Sequence, residues 1–318
     1  MQRLLVAGLF VLAAALGLSP ANAADKKVLA FVVNGASDFW KIAEAGVKKA
    51  QGELPKYDLQ FKYPEQAAAA VQQRVMEDLV AAGAAAIMVS AVDPKNQTAG
   101  LDKIAAQAVL FTTDSDAPKS KRVAYIGSSN VDLGKSAGKL MLQALPNGGK
   151  CIGFVGLPGA DNARERIEGV KETLKGSKVQ LVDVRGDEID QGRAKRNVED
   201  ALAANPDTAC LVGFYSYNTP RIYEVLKETG KLGKIKVIGF DEDPITLGGV
   251  KEGSIVGTVV QQPFEWGYRG MKLMAAYLEG HKGDIPKDGI IIVPGKVIDK
   301  SNVDEFTASL RQMMGKGK

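Results

Sequence analysis

Val28-Leu29-Ala30-Phe31-Val32-Val33-Asn34-Gly35-Ala36-Ser37-Asp38-Phe39-Trp40 is the stretch on which the fold turns. Its first six residues are apolar without alternation, which reads as a strand buried on both faces. A polar, glycine-containing turn follows. From Phe39 to Leu54 apolar residues recur at helical spacing. A doubly buried strand that runs into a helix is the opening half of a βαβ unit.

The unit repeats along the chain. Strands read over Leu59–Tyr63, Ala86–Val89, Ala108–Thr112 and Val123–Ile126, with helices over Ala67–Ala82 and Lys95–Gln107. After the seam Gly127-Ser128-Ser129-Asn130 the series starts again. Strands Cys151–Val155, Val179–Arg185, Cys210–Phe214, Lys236–Phe240 and Ile255–Val260 enclose helices Ala163–Leu174, Arg193–Ala204, Pro220–Thr229 and Ile245–Lys251. Helix Phe264–Glu279 and a strand Gly289–Pro294 close the series. The fold class is therefore α/β: two doubly wound parallel-sheet lobes. Helix Phe264–Glu279 comes too late to belong simply to the second series, and its natural home is the first lobe. The chain then crosses between lobes more than once, as a multi-strand hinge. We assign residues 24–127 with 261–290 to the first lobe and 128–260 with 291–318 to the second.

Composition narrows the function. The 318 residues are 45% hydrophobic and 25% charged, as in a soluble globular protein, with a length suited to two domains. The 41 basic and 37 acidic side chains are dispersed, giving a net charge of +4 and no basic block to follow a nucleic-acid backbone. Arg3, the apolar run Leu4–Leu18 and Ala21-Asn22-Ala23 form an export signal over residues 1–23, with a mature chain beginning near Ala24. The run is too short for a spanning helix, which needs about 20 residues. The expectation is a secreted, periplasmic protein, monomeric and free of the membrane. The single histidine, His281, lies in a polar turn, so neither a zinc site nor a Ser-His-Asp triad is expected, and no cofactor motif is present. Gly134-Lys135-Ser136 imitates the end of a P-loop, but Gly127 stands too far ahead of it and Asp132 would repel phosphate.

Ligands of open parallel sheets bind beyond the carboxyl ends of the strands. There the sequence places Asn34, Ser37, Phe39 and Trp40, then Thr113-Asp114-Ser115-Asp116. The second series adds Gly156-Leu157-Pro158-Gly159-Ala160-Asp161-Asn162 leading into Arg164, then Gly186-Asp187-Glu188-Ile189-Asp190. Tyr215-Ser216-Tyr217-Asn218, Asp241-Glu242-Asp243 and Gln261-Gln262-Pro263 complete the set. Amide, carboxylate and guanidinium groups can hold paired hydroxyls, and aromatic rings can cover the carbon face of a sugar. Asp93, before Pro94, reads as a helix cap and stays outside the set.

Asp38-Phe39-Trp40, Thr113-Asp114, Ala163-Arg164-Glu165-Arg166-x-Glu168-Gly169, Gly239-Phe240-Asp241 and Gln261-x-Pro263 together resemble the ribose/galactose-type periplasmic binding proteins of type I. The resemblance covers essentially the whole mature chain. It implies a binding protein, not an enzyme, that delivers a sugar to the membrane permease of an ABC transporter, with a chemoreceptor as a further partner. Phe39 and Trp40 would stack on the sugar; Asp114, Arg164, Asp241 and Gln261 would hydrogen-bond it. Tyr215 stands about where ribose binders carry an asparagine, so Asn218 is a candidate for the amide. Ribose binders carry arginine after the aspartate of the fourth strand, where this chain has Ser115, and the aromatic expected near Ile189 is absent. A different pentose, a hexose or a polyol stays open, as do a nucleoside, a signalling furanose and an amino acid. Asp114 and Asp241 on facing lobes could also form the carboxylate pair of a glycoside hydrolase. Lac-repressor-type factors share the fold, but an export signal stands where their DNA-binding helices would be. In this doubly wound order the first and third strands of a lobe are neighbours, so Cys151 and Cys210, which open them in the second lobe, are expected to form a disulfide.

Overall fold

The computed structural model describes residues 26–315. The export signal expected over residues 1–23 lies outside the described residues. Among the described residues no helix is long and apolar enough to cross a membrane.

The first series forms β1 (Lys27–Val32), α1 (Trp40–Glu53), β2 (Tyr57–Lys62), α2 (Ala69–Ala81), β3 (Ala84–Val89), α3 (Pro94–Ala105), β4 (Val109–Thr113) and β5 (Ala124–Gly127). Helix α4 (Asn130–Ala144) leads into the second series: β6 (Gly149–Val155), α5 (Asp161–Leu174), β7 (Val179–Gly186), α6 (Gln191–Ala204) and β8 (Thr208–Gly213). This continues with α7 (Asn218–Glu228), β9 (Lys236–Phe240), α8 (Pro244–Glu252) and β10 (Gly257–Val260). Helix α9 (Pro263–Leu278), β11 (Ile290–Ile292), β12 (Lys296–Ile298) and α10 (Val303–Met313) complete the described chain.

The strands make two six-stranded sheets, ordered β2-β1-β3-β4-β5-β11 and β7-β6-β8-β9-β10-β12. In β1, Leu29 and Phe31 pack into one core cluster and Ala30 and Val32 into another. That is why its sequence does not alternate: helices cover both faces. Full burial of a side chain as large as Leu29 or Phe31 stabilises by about 1.5–3 kcal/mol. At the start of α3, Asp93 accepts a hydrogen bond from the Asn96 amide and Pro94 occupies the first turn, so the residue is the cap its sequence suggested.

Helix α9 returns to pack on α1 in the first lobe, as α4 packs on α5 in the second. Both contacts are so close that each helix has a glycine there. A Cβ on Gly267 would overlap the Ala43 carbonyl oxygen, and one on Gly134 would overlap that of Arg166. The chain therefore passes between the sheets at 127–130, at 260–263 and at 292–296.

Three expectations need correction. The single strand read over Gly289–Pro294 is two: β11 runs parallel to β5 in one sheet, and β12 runs antiparallel to β10 in the other. Pro294 and Gly295 separate them; the first sheet is parallel throughout, and β12 is the one antiparallel strand of the second. The sequence reading also assigned no elements at α4 and α10. Both are helices, and α4 begins with Ser129, whose hydroxyl accepts from the Asp132 amide. The Cys151–Cys210 disulfide is present, between residues in register on neighbouring strands β6 and β8.

Candidate ligand-binding site

The tips of the two sheets face each other. Between them a small cavity of about 30 Å³ is lined by Asn34, Ser37, Phe39, Trp40 and Asp114 from the first lobe and by Asn162, Arg166, Tyr215, Tyr217 and Asp241 from the second, with Gln261 at the crossing into α9.

Asp114 and Asp241 occupy equivalent places. Each follows the fourth strand of its sheet, each is buried, and each has a left-handed backbone, with φ of 55° and 64°. For a non-glycine residue that conformation carries a conformational cost, and such residues concentrate at binding sites. Arg166 lies between the two carboxylates, 3.6 Å from Asp114 and 4.0 Å from Asp241. Its Nη1 donates to the Phe214 carbonyl at 2.6 Å and its Nε to Asn130 at 3.0 Å. The guanidinium also lies over the Phe240 ring, 4.9 Å from the centroid.

A polar network joins the lobes. Asn162 donates to both carboxylate oxygens of Asp114, at 3.1 and 3.0 Å, and Tyr215 donates to the Asn162 carbonyl at 2.9 Å. Ser90 donates to Asp114 at 2.9 Å. The Trp40 indole donates to Asn34 at 3.2 Å, which turns the Asn34 amide toward Asp114. The Asp161 amide donates to the Ser115 hydroxyl at 3.2 Å. Across the cavity a Cβ on Gly35 would come within 2.8 Å of Ile189. The lobes thus touch on both flanks of the cleft.

Burial dominates the titration of these carboxyls. It raises Asp114, against the charge of Arg166 and the hydrogen bonds from Asn162 and Ser90. It pushes Asp241 up to about 6, again opposed by Arg166 and by the hydrogen bond from Gln261. That Gln261 bond is 3.0 Å long, and the amide's other end, Oε1, is buried with no partner. Among the described residues no cluster of His, Cys, Asp and Glu could hold a metal ion.

The structure brings together Asn34, Ser37, Phe39, Trp40, Asp114, Tyr215, Asp241 and Gln261, all expected at the site. It moves two others out. Arg164 is half exposed, bonds the Gly159 carbonyl and pairs with Asp161 in its own first turn. Two residues along a helix turn through about 200°, so Arg164 faces away while Arg166 points into the cleft. Asn218 is buried behind the cavity. It donates to Asp187 at 2.7 Å and accepts from the Tyr215 amide at 3.0 Å, so both ends of its amide are occupied by protein.

Asn162, Ile189, Ser216 and Tyr217, which the sequence placed at the strand ends without assigning them a contact, also line the cavity, and so does Arg166, which was not expected there. Arg166 had a readable signal. Ala163, Arg166, Val170 and Leu174 are the buried face of α5 at helical spacing, and an arginine in that row must have buried partners. Trp40 combines two roles. It lines the cavity and also belongs to the first lobe's core. Phe39 meets it edge to face, ring centroids 5.0 Å apart, and is the less buried of the two.

With this geometry in view, likeness to known proteins is informative. The model of a family described as periplasmic binding protein domain matches residues 29–282. The ribose import binding protein of Salmonella typhimurium is 27% identical over 267 residues, covering 82% of this chain and 88% of that protein. A solved ABC transporter solute-binding protein from Burkholderia graminis, in complex with D-arabinose, is 30% identical, with a TM-score of 0.81 over 87% of this chain and 96% of that one. Another from Agrobacterium vitis, with bound D-fucose, is 27% identical, with a TM-score of 0.83 over 89% of this chain and 99% of that one. The paired sheets, the facing strand tips and a family match over most of its length agree: this chain belongs to the periplasmic binding protein domain family.

Proposed function

We propose that the protein is the substrate-binding component of an ABC-type importer, carrying a monosaccharide in the periplasm to its membrane permease and performing no chemistry on it. The observation that carries this reading is the pair of buried carboxylates, Asp114 and Asp241, bracketing one fully engaged arginine beside the unpartnered Gln261 Oε1. Carboxylates accept from hydroxyls, and Gln261 Oε1 is an acceptor with the same need. Phe39, Trp40, Tyr215 and Tyr217 supply aromatic surface for the carbon face of a ring. The sugars named for the similar proteins support the same class.

An amino acid is disfavoured. Its carboxylate needs a free cationic clamp, and Arg166 is committed to Asn130, Phe214 and the two aspartates. Closure of the hinge around the sugar would present one continuous surface to the permease, with ligand contacts from both lobes favouring the closed form. The export signal over residues 1–23 and the lobe limits given above belong to this reading.

A thermal-shift screen across pentoses, hexoses, polyols, nucleosides and amino acids tests it. A ligand at about a thousand times its Kd stabilises the native state by about 4 kcal/mol, an easily resolved shift. Stabilisation by a monosaccharide, followed by calorimetry, is the expected result. Stabilisation by an amino acid or nucleoside alone would overturn the reading.

A further inference from the structure

Glu242 follows Asp241 at the tip of β9, where the other lobe has Ser115 after Asp114. It is 5% exposed, and its Oε2 is buried with no hydrogen-bond partner. Burial, reinforced by the charge of Asp241, raises its pKa well above the usual carboxylate range. The carboxyl lines a groove of about 990 Å³ outside the inner cavity, and Ser37, Phe39, Ser216 and Tyr217 border both spaces. Among the described residues no cation that shares this groove, Arg311 included, is ion-paired to Glu242. Lys41 pairs with Asp38, Arg221 with Glu224 and Lys251 with Asp304. Arg166 already serves two aspartates. A buried carboxyl without a partner is unfavourable, and its charged form is restored by a cation brought to it.

We infer that the cleft is built for a sugar bearing a cationic amine, whose ammonium group lies at the mouth of the inner cavity and pairs with Glu242. The inference rests on the sugar reading and narrows it. The hydroxyl-bearing ring occupies the space between Asp114 and Asp241, and the amine points toward the outer groove. Neutral sugars fill the same ring site and leave Glu242 without a partner.

Calorimetry at pH 7 with matched pairs tests this: glucosamine against glucose, galactosamine against galactose, mannosamine against mannose, and 6-amino-6-deoxyglucose against glucose. In the unaltered protein at least one amine is expected to bind about tenfold or more tightly than its hydroxyl parent, a difference of about 1.4 kcal/mol. Glu242→Gln, which keeps the shape, is expected to reduce that preference to less than about threefold. Hydroxyl parents binding as tightly as every amine would overturn the inference and leave the sugar reading standing. A preference that survives Glu242→Gln would overturn the role of Glu242. Binding of neither kind would overturn the amine inference, and the pentoses and polyols of the thermal-shift screen would then decide the sugar reading.

Discussion

Arg166 sets the character of the cleft, because one cation is shared between two buried carboxylates. Its removal leaves Asp114 and Asp241 facing each other without compensation. Arg166→Ala is therefore expected to destabilise the protein by about 3–5 kcal/mol in urea denaturation and to abolish sugar binding in calorimetry. Arg164→Ala removes only a half-exposed contact within α5, and affinity should stay within about twofold, as for an exposed ion pair worth about 1 kcal/mol or less. Equal effects of the two substitutions would contradict the placement of the arginines. Asp241 gives a pH signature. Its folded-state pKa, near 6, lies above the unfolded value, so the native chain holds a proton that the unfolded chain has released. The stabilisation is full below the unfolded pKa and is lost as pH rises through about 6, a slope that Asp241→Asn should flatten. Binding runs the other way. A protonated Asp241 accepts fewer hydroxyl bonds, so sugar affinity should weaken as pH falls through about 6.

Strands and helices were largely legible in the sequence because burial on both faces leaves an unambiguous apolar run, as in β1 and β9. The short pieces were not. β11 and β12 have three residues each, too few for a period to show, and they belong to different sheets. Among site residues, those that end a strand were readable from position alone, since Asp114 and Asp241 must stand at the sheet tips. Those on α5 depended on helical phase, and the choice between Arg164 and Arg166 was decided by which side of the helix faces the cleft. The helix contacts predict a further effect. Because a Cβ on Gly134 would strike the Arg166 carbonyl oxygen, Gly134→Ala should push that turn of α5 out of place. A stability loss of about 1–3 kcal/mol should come with weaker sugar binding. The disulfide ties β6 to β8 across a separation of 59 residues. A double Cys151→Ser, Cys210→Ser variant should lose about 4 kcal/mol of stability by the chain-entropy estimate, measured against the oxidised protein.

At the scale of the molecule, two similar sheets face each other and exchange helices: α9 completes the lobe that begins the chain, and α4 stands in the same relation to the other. Closure can therefore bend three connections together without unfolding either core. The equivalence of Asp114 and Asp241, each left-handed at the end of a fourth strand, belongs to the same approximate symmetry, which Glu242 breaks on one side only.

The triple passage also orders the birth of the protein. A chain emerging from the ribosome has β1–β5 early but must wait for residue 278 to cover them with α9 and for residue 292 to add β11. The second sheet waits longer still, for residue 298 to add β12 and for residue 313 to finish α10, so neither lobe is complete until the end of the chain is made. Nascent chains halted at residue 260, which lack α9 and β11 of one lobe and β12 and α10 of the other, should yield no protease-resistant fragment from either, and release at full length should restore both. A delay of that kind keeps both lobes threadable until synthesis is nearly finished.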